Sequence, residues 1–359
     1  MSVMIIGGGP AGLALASQLQ ERAIEYTVLE RAPFLGSTFR SMASNTTLSP
    51  WINTVLPGTR PNWRIALRPT EREEYAQYLT EYAIQRNLNY LTSVEVDQVV
   101  REPGQFRVLT NQGIFRSRVL VNATGYFSNP YIPDLPGASQ SEIPQVHAAA
   151  YQDPDTVRRL LGGNRGRVLV VGHRTTAGEI VEGLYRAGYE VCLSHRSPIR
   201  YALPDMLQAC LSPFSYVLEE SLVHLPGVRT PLSLESRMPG GVARQLLEWG
   251  LVRRFPAVAR LERRAVVFQD GQDVPFDLVI YATGYRPALK HLAGLVSTDP
   301  DTGLPPLYGA ESSEVPGLFF LGLQGLRTFR SQFLRGIRED AVYLADWLAS
   351  YWFMGQKVA

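Results

Sequence analysis

Cysteine is nearly absent from this 359-residue sequence, which holds only Cys192 and Cys210. Seventeen residues separate the two, so the chain has no CxxC redox pair and no cysteine-rich metal site. A disulfide-reductase function that relies on a CxxC pair is therefore disfavoured, and we expect no metal site. So little cysteine is typical of a protein from a reduced compartment, and we expect a cytoplasmic location.

An excess of charge and a long apolar run are lacking as well. The 35 basic and 33 acidic residues leave a net charge of +2, too small to predict binding to nucleic acid or to an acidic membrane. No apolar run approaches the roughly 18 residues that span a membrane, and glycines interrupt the apolar N-terminus where a signal peptide would be continuous. We therefore expect a globular protein without stable membrane association. At roughly 150 residues per domain, the length favours two domains.

A glycine-rich turn follows the first apolar run of the chain. Residues 3–6 suit a buried parallel strand, glycines follow at positions 7, 9 and 12, and a helical pattern leads to a second strand at residues 26–29. Glu30 comes next, 23 residues after Gly7. This strand–turn–helix–strand order with GxGxxG in its turn predicts a dinucleotide site. The pyrophosphate binds at the helix N-terminus and the acidic side chain accepts ribose hydroxyls.

A second unit of the same kind begins 165 residues later. The apolar residues 167–171 precede Gly172, a helical pattern and another strand that ends near Arg196. Arg174 stands where the second glycine belongs, and its guanidinium could instead pair with a phosphate. His195 and Arg196 occupy the place of the acidic residue, and a cation there suits the 2′-phosphate of NADP. The alternative is that this second unit no longer binds nucleotide and only packs.

A second pair of segments repeats at a similar spacing. Residues 119–126 read VLVNATGY and residues 278–285 read LVIYATGY, with their threonines 159 residues apart. Two nested repeats predict an α/β protein with two Rossmann-like dinucleotide-binding domains. We place the first domain at residues 1–154 and 285–359, and the second, inserted domain at residues 155–284. Residues 198–260 match neither repeat.

Taken together, these segments resemble the flavin-containing monooxygenases and the related Baeyer–Villiger monooxygenases over essentially the whole chain. The resemblance rests on both glycine turns, both ATG segments, the LGSTFR segment at 35–40 and the SHRSP segment at 194–198. It implies FAD in the first domain and NAD(P)H in the second. In this family, reduced FAD reacts with O2 to form a C4a-(hydro)peroxyflavin, which oxygenates nitrogen, sulfur or a ketone.

The resemblance also implies a set of cofactor-binding residues. For FAD these are Gly7, Gly9, Pro10, Ala11, Gly12, Glu30, Arg31, Thr38, Phe39, Arg40, Val96, Ala123, Thr124, Gly125, Gly322, Gln332 and Phe333. For NADPH, with NADH as an alternative, they are Gly172, Arg174, Thr175, Thr176, His195, Arg196, Ala282, Thr283 and Gly284. Arg327 and Arg330 lie close to the expected flavin region; surface salt bridges are favoured for both over contact with a flavin or substrate anion.

Two departures from the family pattern concern its fingerprint and its chemistry. The family sequence FxGxxxHxxx(Y/F/W) is met by His147 and Tyr151, but Ser141 and Ile143 replace its Phe and Gly. The family often places an asparagine against the flavin two residues before a proline, and Leu48 has that position here. Leu48 and the nearby Asn53 are accordingly the candidate catalytic residues, although Asn53 is out of register.

We therefore predict an FAD-dependent, NAD(P)H-driven monooxygenase that acts on a small organic substrate by N- or S-oxidation or Baeyer–Villiger chemistry. The expected partners are that substrate and O2, not nucleic acid, and a homodimer is left open. Two alternatives remain. The missing asparagine favours an uncoupled NAD(P)H oxidase or reductase of the same fold. Arg174 favours an FAD-binding sensor or interaction protein whose second domain is degenerate.

Overall fold

Two β-sheets, each built around a central parallel strand that runs into a glycine turn, organise the chain. The computed structural model describes residues 2–44, 46–60, 62–163, 165–202 and 237–356. Cys210 and residues 203–236 of the unmatched segment lie outside this description.

The elements follow one another in the order expected for repeated βαβ units. Residues 2–129 form β1 (Val3–Ile6), α1 (Pro10–Glu21), β2 (Tyr26–Leu29), α2 (Ser37–Arg40), β3 (Thr47–Pro50), β4 (Pro69–Glu71), α3 (Arg72–Gln85), β5 (Tyr90–Leu91), β6 (Val96–Glu102), β7 (Gln105–Thr110), β8 (Gly113–Ser117) and β9 (Val119–Asn122). Residues 130–284 form β10 (Gln145–His147), α4 (Pro154–Leu161), β11 (Arg167–Val171), α5 (Thr175–Arg186), β12 (Glu190–Ser194), α6 (Val242–Glu248), β13 (Arg253–Phe255), β14 (Val258–Leu261), β15 (Ala265–Phe268), β16 (Asp273–Pro275) and β17 (Leu278–Tyr281). The remainder forms β18 (Leu307–Tyr308), β19 (Glu311–Ser312), β20 (Leu318–Phe320) and α7 (Leu334–Gln356).

The larger sheet has the strand order β18-β19-β20-β9-β1-β2-β5. β1 lies between β2 and β9 and is parallel to both, so Ile6 pairs with Leu29 on one side and with Asn122 on the other. All four residues of β1 and of β9 are buried. These strands are apolar because a parallel sheet is covered on both faces.

The second sheet has the order β10-β17-β11-β12-β13. β11 lies between β12 and β17, and Val171 pairs with Ser194 and Tyr281. Val171 is therefore the counterpart of Ile6, and each central strand leads directly into a glycine turn. The predicted fold class, an α/β protein with two Rossmann-like sheets, is confirmed.

The chain divides into two units. The first comprises Met1–Met42, Thr46–Asn129 and Tyr285–Ala359, and the second comprises Ala43–Asn45 and Pro130–Gly284. The chain returns to the first unit between residues 284 and 285. Residues 130–154, which the sequence assigns to the first domain, belong to the second unit because β10 pairs with β17.

The long C-terminal helix completes the core of the first unit. Its buried residues Ala341, Leu344, Ala345 and Leu348 pack with the apolar residues of α1. This helix, α7, begins after a 3₁₀ turn at Phe329–Gln332. Within the described ranges, no helix combines the length and apolar character that a membrane span requires.

Candidate active site

The first glycine turn has a separate steric reason for each of its three glycines. Gly7 has a φ of +111°, and a Cβ there would lie 2.6 Å from the carbonyl oxygen of Ala123. A Cβ on Gly12 would overlap the carbonyl oxygen of Gly7, so helix and turn pack only with glycine here. Apart from Gly9 itself and its two chain neighbours, no atom of the described residues lies within 4 Å of the position that a Cβ on Gly9 would take. The space beside Gly9 is open, as the approach of a phosphate requires.

The helix that follows this turn begins without a side-chain cap. Gly9 is the N-cap of α1 and Pro10 is its first residue. Because no side chain accepts from the first-turn N–H groups, they remain able to bind an anion.

Glu30 is fixed at the end of β2 by two backbone groups. The N–H of Gly8 donates to Oε2 at 2.8 Å, and the N–H of Ala32 donates to Oε1 at 2.9 Å. The side chain is buried but lines the cavity in front of the turn. Each carboxylate oxygen has a further lone pair, so the group can still accept hydrogen bonds from two ribose hydroxyls.

A cavity of about 1080 Å³ lies in front of this turn and is lined entirely by the first unit. It brings together most of the residues predicted to bind FAD: Gly7, Gly9, Pro10, Ala11, Glu30, Arg31, Thr38, Phe39, Val96, Ala123, Thr124, Gly125, Gly322, Gln332 and Phe333. Leu48, the candidate catalytic residue, also lines it. Three predicted residues do not: Gly12 packs behind the turn, Arg40 forms an exposed ion pair with Glu73 at 2.8 Å, and Asn53 lies in the 3₁₀ turn after β3.

A buried polar pair that was not predicted from the sequence lies in the cavity wall. His291 Nε2 lies 2.8 Å from Asn122 Oδ1, and Thr124 Oγ1 donates to the carbonyl oxygen of Ala288 at 2.8 Å. His291 lines the cavity, and burial lowers its pKa to about 4. The neutral ring therefore donates from Nε2 to the amide oxygen. No local signal predicts this contact, because 169 residues separate the partners.

The turn before α7 is held by two ion pairs, one of which involves a buried arginine. Arg330 Nη1 donates to Glu339 Oε1 at 2.9 Å, and Arg327 Nε donates to Asp340 Oδ1 at 3.0 Å. Salt bridges are confirmed for both arginines, but the expected surface position is wrong for Arg330, which is 6% exposed. Burial is possible because the carboxylates of α7 neutralise the guanidinium.

The second glycine turn repeats the backbone geometry of the first. Gly172 has a φ of +155°, and a Cβ there would overlap the carbonyl oxygen of Ala282. The N–H of Gly172 donates to Ser194, as that of Gly7 donates to Leu29. His195 is therefore the structural counterpart of Glu30, and Arg196 follows it.

The residues beyond this turn differ from those of the first. Arg174 is the N-cap of α5 but makes no side-chain capping bond. Thr175 Oγ1 donates to the carbonyl oxygen of Arg237 at 2.8 Å, and Thr176 is the second residue of the helix. Arg174 thus stands where Gly9 leaves open space in the first turn.

A second cavity, of about 700 Å³, lies at the carboxyl ends of β12 and β13. His195, Arg253 and Arg254 line it, while Arg196 is exposed beside it. Arg253 donates to Gln272 at 2.5 Å, whereas Arg254 makes no hydrogen bond or ion pair with any described residue. Arg254 was not predicted from the sequence, because only the pairing of β13 with β12 brings it beside His195.

His147 links two chain segments of the second unit by hydrogen bonds. Its Nε2 lies 2.9 Å from the carbonyl oxygen of Gly284, and its Nδ1 accepts from the N–H of Ala149. The N–H of Tyr131 also donates to Gly284, and Thr283 Oγ1 donates to the carbonyl oxygen of Tyr131. Burial lowers the pKa of His147, so the neutral ring makes these two hydrogen bonds. Thr283 and Gly284, predicted to bind NADPH, thus belong to a structural connection.

The one cysteine in the described part of the chain belongs to the second unit and is not among the residues that line the cavity of the first. Cys192 is buried in β12 of the second unit, and burial raises the pKa of its thiol to about 11. A thiol in this environment is a poor nucleophile.

Two sheets with glycine turns at their central strands, and a dinucleotide-sized cavity in the first unit, define a two-unit Rossmann-type oxidoreductase. The chain belongs to the pyridine nucleotide-disulphide oxidoreductase family, whose model matches residues 4–220. It is a flavin-dependent oxidoreductase, as predicted from the sequence.

Known relatives cover nearly all of the chain. An uncharacterized CzcO-like oxidoreductase of Geobacillus kaustophilus is 26% identical over 96% of this chain and 97% of its own. A probable indole-3-pyruvate monooxygenase of Arabidopsis thaliana is 25% identical over 97% and 90%. The solved structure of a flavin-containing monooxygenase from Stenotrophomonas maltophilia has a TM-score of 0.80 and 23% identity, covering 98% of this chain and 99% of that one. It shares the fold.

Proposed function

We propose that this protein is an FAD-dependent, NADPH-driven monooxygenase of a small organic substrate. The observation that carries the proposal is the cavity of the first unit, in which an open glycine turn, a fixed carboxylate and an apolar wall converge. The names of the plant relative and of the bacterial structure support monooxygenation.

The residues of the first cavity fit FAD. Its volume of about 1080 Å³ lies at the upper end of the ~300–1,000 Å³ typical of small-molecule sites, as a dinucleotide requires. The turn at Gly9 and the uncapped start of α1 would hold the pyrophosphate, and Glu30 the ribose. FAD contains a ribose that this carboxylate can bind, whereas FMN contains no ribose.

The residues of the second unit fit NADPH better than NADH. His195 replaces the ribose-binding carboxylate, and Arg196 and Arg254 place two guanidinium groups at the same edge of the sheet. A guanidinium pairs with a phosphate through two parallel hydrogen bonds. Arg174 would contribute a further cation at the pyrophosphate.

When bound, FAD would accept a hydride from NADPH and activate O2, so that one oxygen atom can be transferred to the substrate. The chain's own contribution is to position the ring and exclude water. Phe39, Met42 and Leu48 give the cavity an apolar wall. Such a wall slows loss of a reactive oxygen species to water, but Leu48 offers no hydrogen bond to it.

Leu48 favours a second candidate function, an NAD(P)H oxidase that releases hydrogen peroxide. A third, an FAD-binding sensor, is supported by Arg174, whose Cβ occupies the approach that Gly9 leaves open in the first turn. A thiol–disulfide activity finds no support in the described residues, because Cys192 lies in the sheet of the second unit.

One experiment separates these functions. Purified protein is mixed with NADPH without oxygen, and O2 is then admitted while the flavin spectrum is recorded and peroxide is measured. A monooxygenase is reduced by NADPH and forms oxygenated product from an added thioether or ketone. An oxidase is also reduced by NADPH, but it then reduces O2 to hydrogen peroxide in an amount that matches the NADPH oxidised. A sensor keeps its oxidised spectrum, and failure of reduction would overturn both enzymatic proposals.

A further inference from the structure

A continuous group of aromatic side chains leads away from the cavity of the first unit. Phe39 lines the cavity, and its ring meets that of Tyr75 edge-on, with 4.7 Å between centroids. Tyr75 is 6.4 Å from Trp51 and 5.8 Å from Tyr78, and Trp51 is 5.5 Å from Tyr78. Every step lies within the ~4.5–7 Å at which aromatic rings are in contact.

The group ends close to solvent. Tyr75 is fully buried, whereas Trp51 and Tyr78 are half-buried. Tyr78 OH donates to Thr59 Oγ1 at 3.1 Å, and the Thr59 side chain is itself half-buried. The four rings therefore connect the cavity wall to the surface of the same unit.

We propose that Phe39, Tyr75, Trp51 and Tyr78 form an electron-transfer path that delivers single electrons from a surface reductant to a strongly oxidising group in the cavity. The inference rests on the proposed binding of FAD there. Tryptophan and tyrosine are the side chains that lose one electron most readily at neutral pH when no thiolate is near.

The hydrogen bonds assign a different role to each ring. Tyr75 OH donates to the backbone carbonyl of Thr54 at 3.0 Å, and a carbonyl cannot take the proton that a tyrosine must release on oxidation. Tyr75 is thus a bridge. Trp51 Nε1 is buried and makes no hydrogen bond to any described residue, so its indole keeps its proton and loses only an electron. Trp51 therefore becomes a radical cation rather than a neutral radical.

Tyr78 completes the path. One electron passes from Tyr78 to the Trp51 cation, and the phenolic proton moves to Thr59 Oγ1, whose own hydroxyl proton passes to water. A neutral tyrosyl radical remains. An added one-electron reductant such as ascorbate returns the electron, and a proton comes back along the same hydrogen bond.

Blue light provides the oxidant in a controlled way, since an excited oxidised flavin accepts one electron. The FAD-bound protein is illuminated by a short pulse without NADPH or oxygen, and transient absorption is recorded. We expect the band of a tryptophan radical cation, followed by that of a tyrosyl radical that ascorbate removes.

Three variants test the assignment. Trp51→Phe should lose both radical bands, and Tyr78→Phe should keep a longer-lived tryptophan cation with no tyrosyl band. Trp63→Phe is the matched control, because Trp63 is 81% exposed in the same unit and belongs to no ring pair of the path. FAD absorbance is measured first in each variant. Unchanged radical bands in FAD-bound Trp51→Phe would overturn the path alone. If the wild-type protein binds no FAD, the path and the proposed function are overturned together.

Discussion

Gly172 lies so close to the carbonyl oxygen of Ala282 that a Cβ at position 172 would overlap it. Gly7 and Ala123 have the same relationship in the first unit. Each ATG segment is thus the neighbour against which a glycine turn closes, which explains why the two motifs recur together along the chain.

This relationship predicts the effect of an alanine at the first turn. Gly7→Ala combines a left-handed φ with the overlap, so we expect a loss of unfolding free energy of at least about 1–3 kcal/mol and loss of bound FAD. Gly104→Ala is the matched control, because Gly104 has a φ of +74° with no atom within 4 Å. Thermal unfolding and flavin absorbance measure both. Equal losses in the two variants would contradict the steric argument.

Removing the charge of Glu30 should weaken FAD binding. In Glu30→Gln the negative charge is removed, and the amide NH2 faces the N–H of Gly8 or of Ala32. One of these two N–H groups therefore loses its acceptor. We expect a cost of about 1.5–3 kcal/mol, or about 10- to 150-fold in the FAD dissociation constant. Glu73→Gln, at an exposed ion pair of the same unit, should leave FAD binding unchanged. Fluorescence titration of the apoprotein gives both constants.

Coenzyme preference should depend on the arginines at the edge of the second sheet. Arg196→Ala and Arg254→Ala should each raise the KM for NADPH, by about 10-fold or more if a charge-assisted hydrogen bond is lost, and leave that for NADH nearly unchanged. Arg260→Ala is the control, since Arg260 is already paired with Glu262 at 2.7 Å. Parallel losses with both coenzymes would show that neither arginine reads the 2′-phosphate.

Leu48→Asn should improve the coupling of NADPH oxidation to oxygen transfer. A donor in place of leucine can stabilise developing negative charge on oxygen by about 1.5–3 kcal/mol, or about 10- to 150-fold in lifetime. The measurement is the fraction of oxidised NADPH recovered as peroxide, which should fall. Leu67→Asn, on the exposed segment beyond β3, should leave it unchanged. No fall in peroxide would mean that position 48 does not face the reacting oxygen.

The buried histidines predict a loss of stability in acid. The pKa of His291 falls from about 6.5 in the unfolded chain to about 4 in the folded one, and that of His147 is also lowered. Protonation therefore favours the unfolded state, and the stability present above pH 6.5 declines as the pH falls towards 4. His291 alone accounts for about 3 kcal/mol. Urea unfolding measures the free energy of unfolding between pH 6.5 and 4.5, and its decline should be shallower in His291→Asn. An unchanged slope against pH would contradict the role of His291.

The first glycine turn, Glu30 and both ATG segments were predictable from the sequence because their signals are local. A turn that requires glycine at Gly7 and Gly12, followed by an acidic residue at a fixed spacing, leaves a pattern within about 25 residues, the length of a βαβ unit. The apolar strands beside them carry the fold class, since a parallel sheet buried on both faces admits few polar residues.

The contacts that only the tertiary structure decided join residues far apart in the chain. Asn122, at the end of β9, meets His291 of the 3₁₀ turn at Lys290–Leu292, and Arg254 comes beside His195 because β13 pairs with β12. The sequence also placed Arg330 at the surface, since an arginine alone is costly to bury. Its burial is decided by Glu339, which α7 turns towards it. Local sequence patterns thus determined the backbone of the candidate cofactor sites. Contacts between distant segments determined which polar and charged side chains lie beside that backbone.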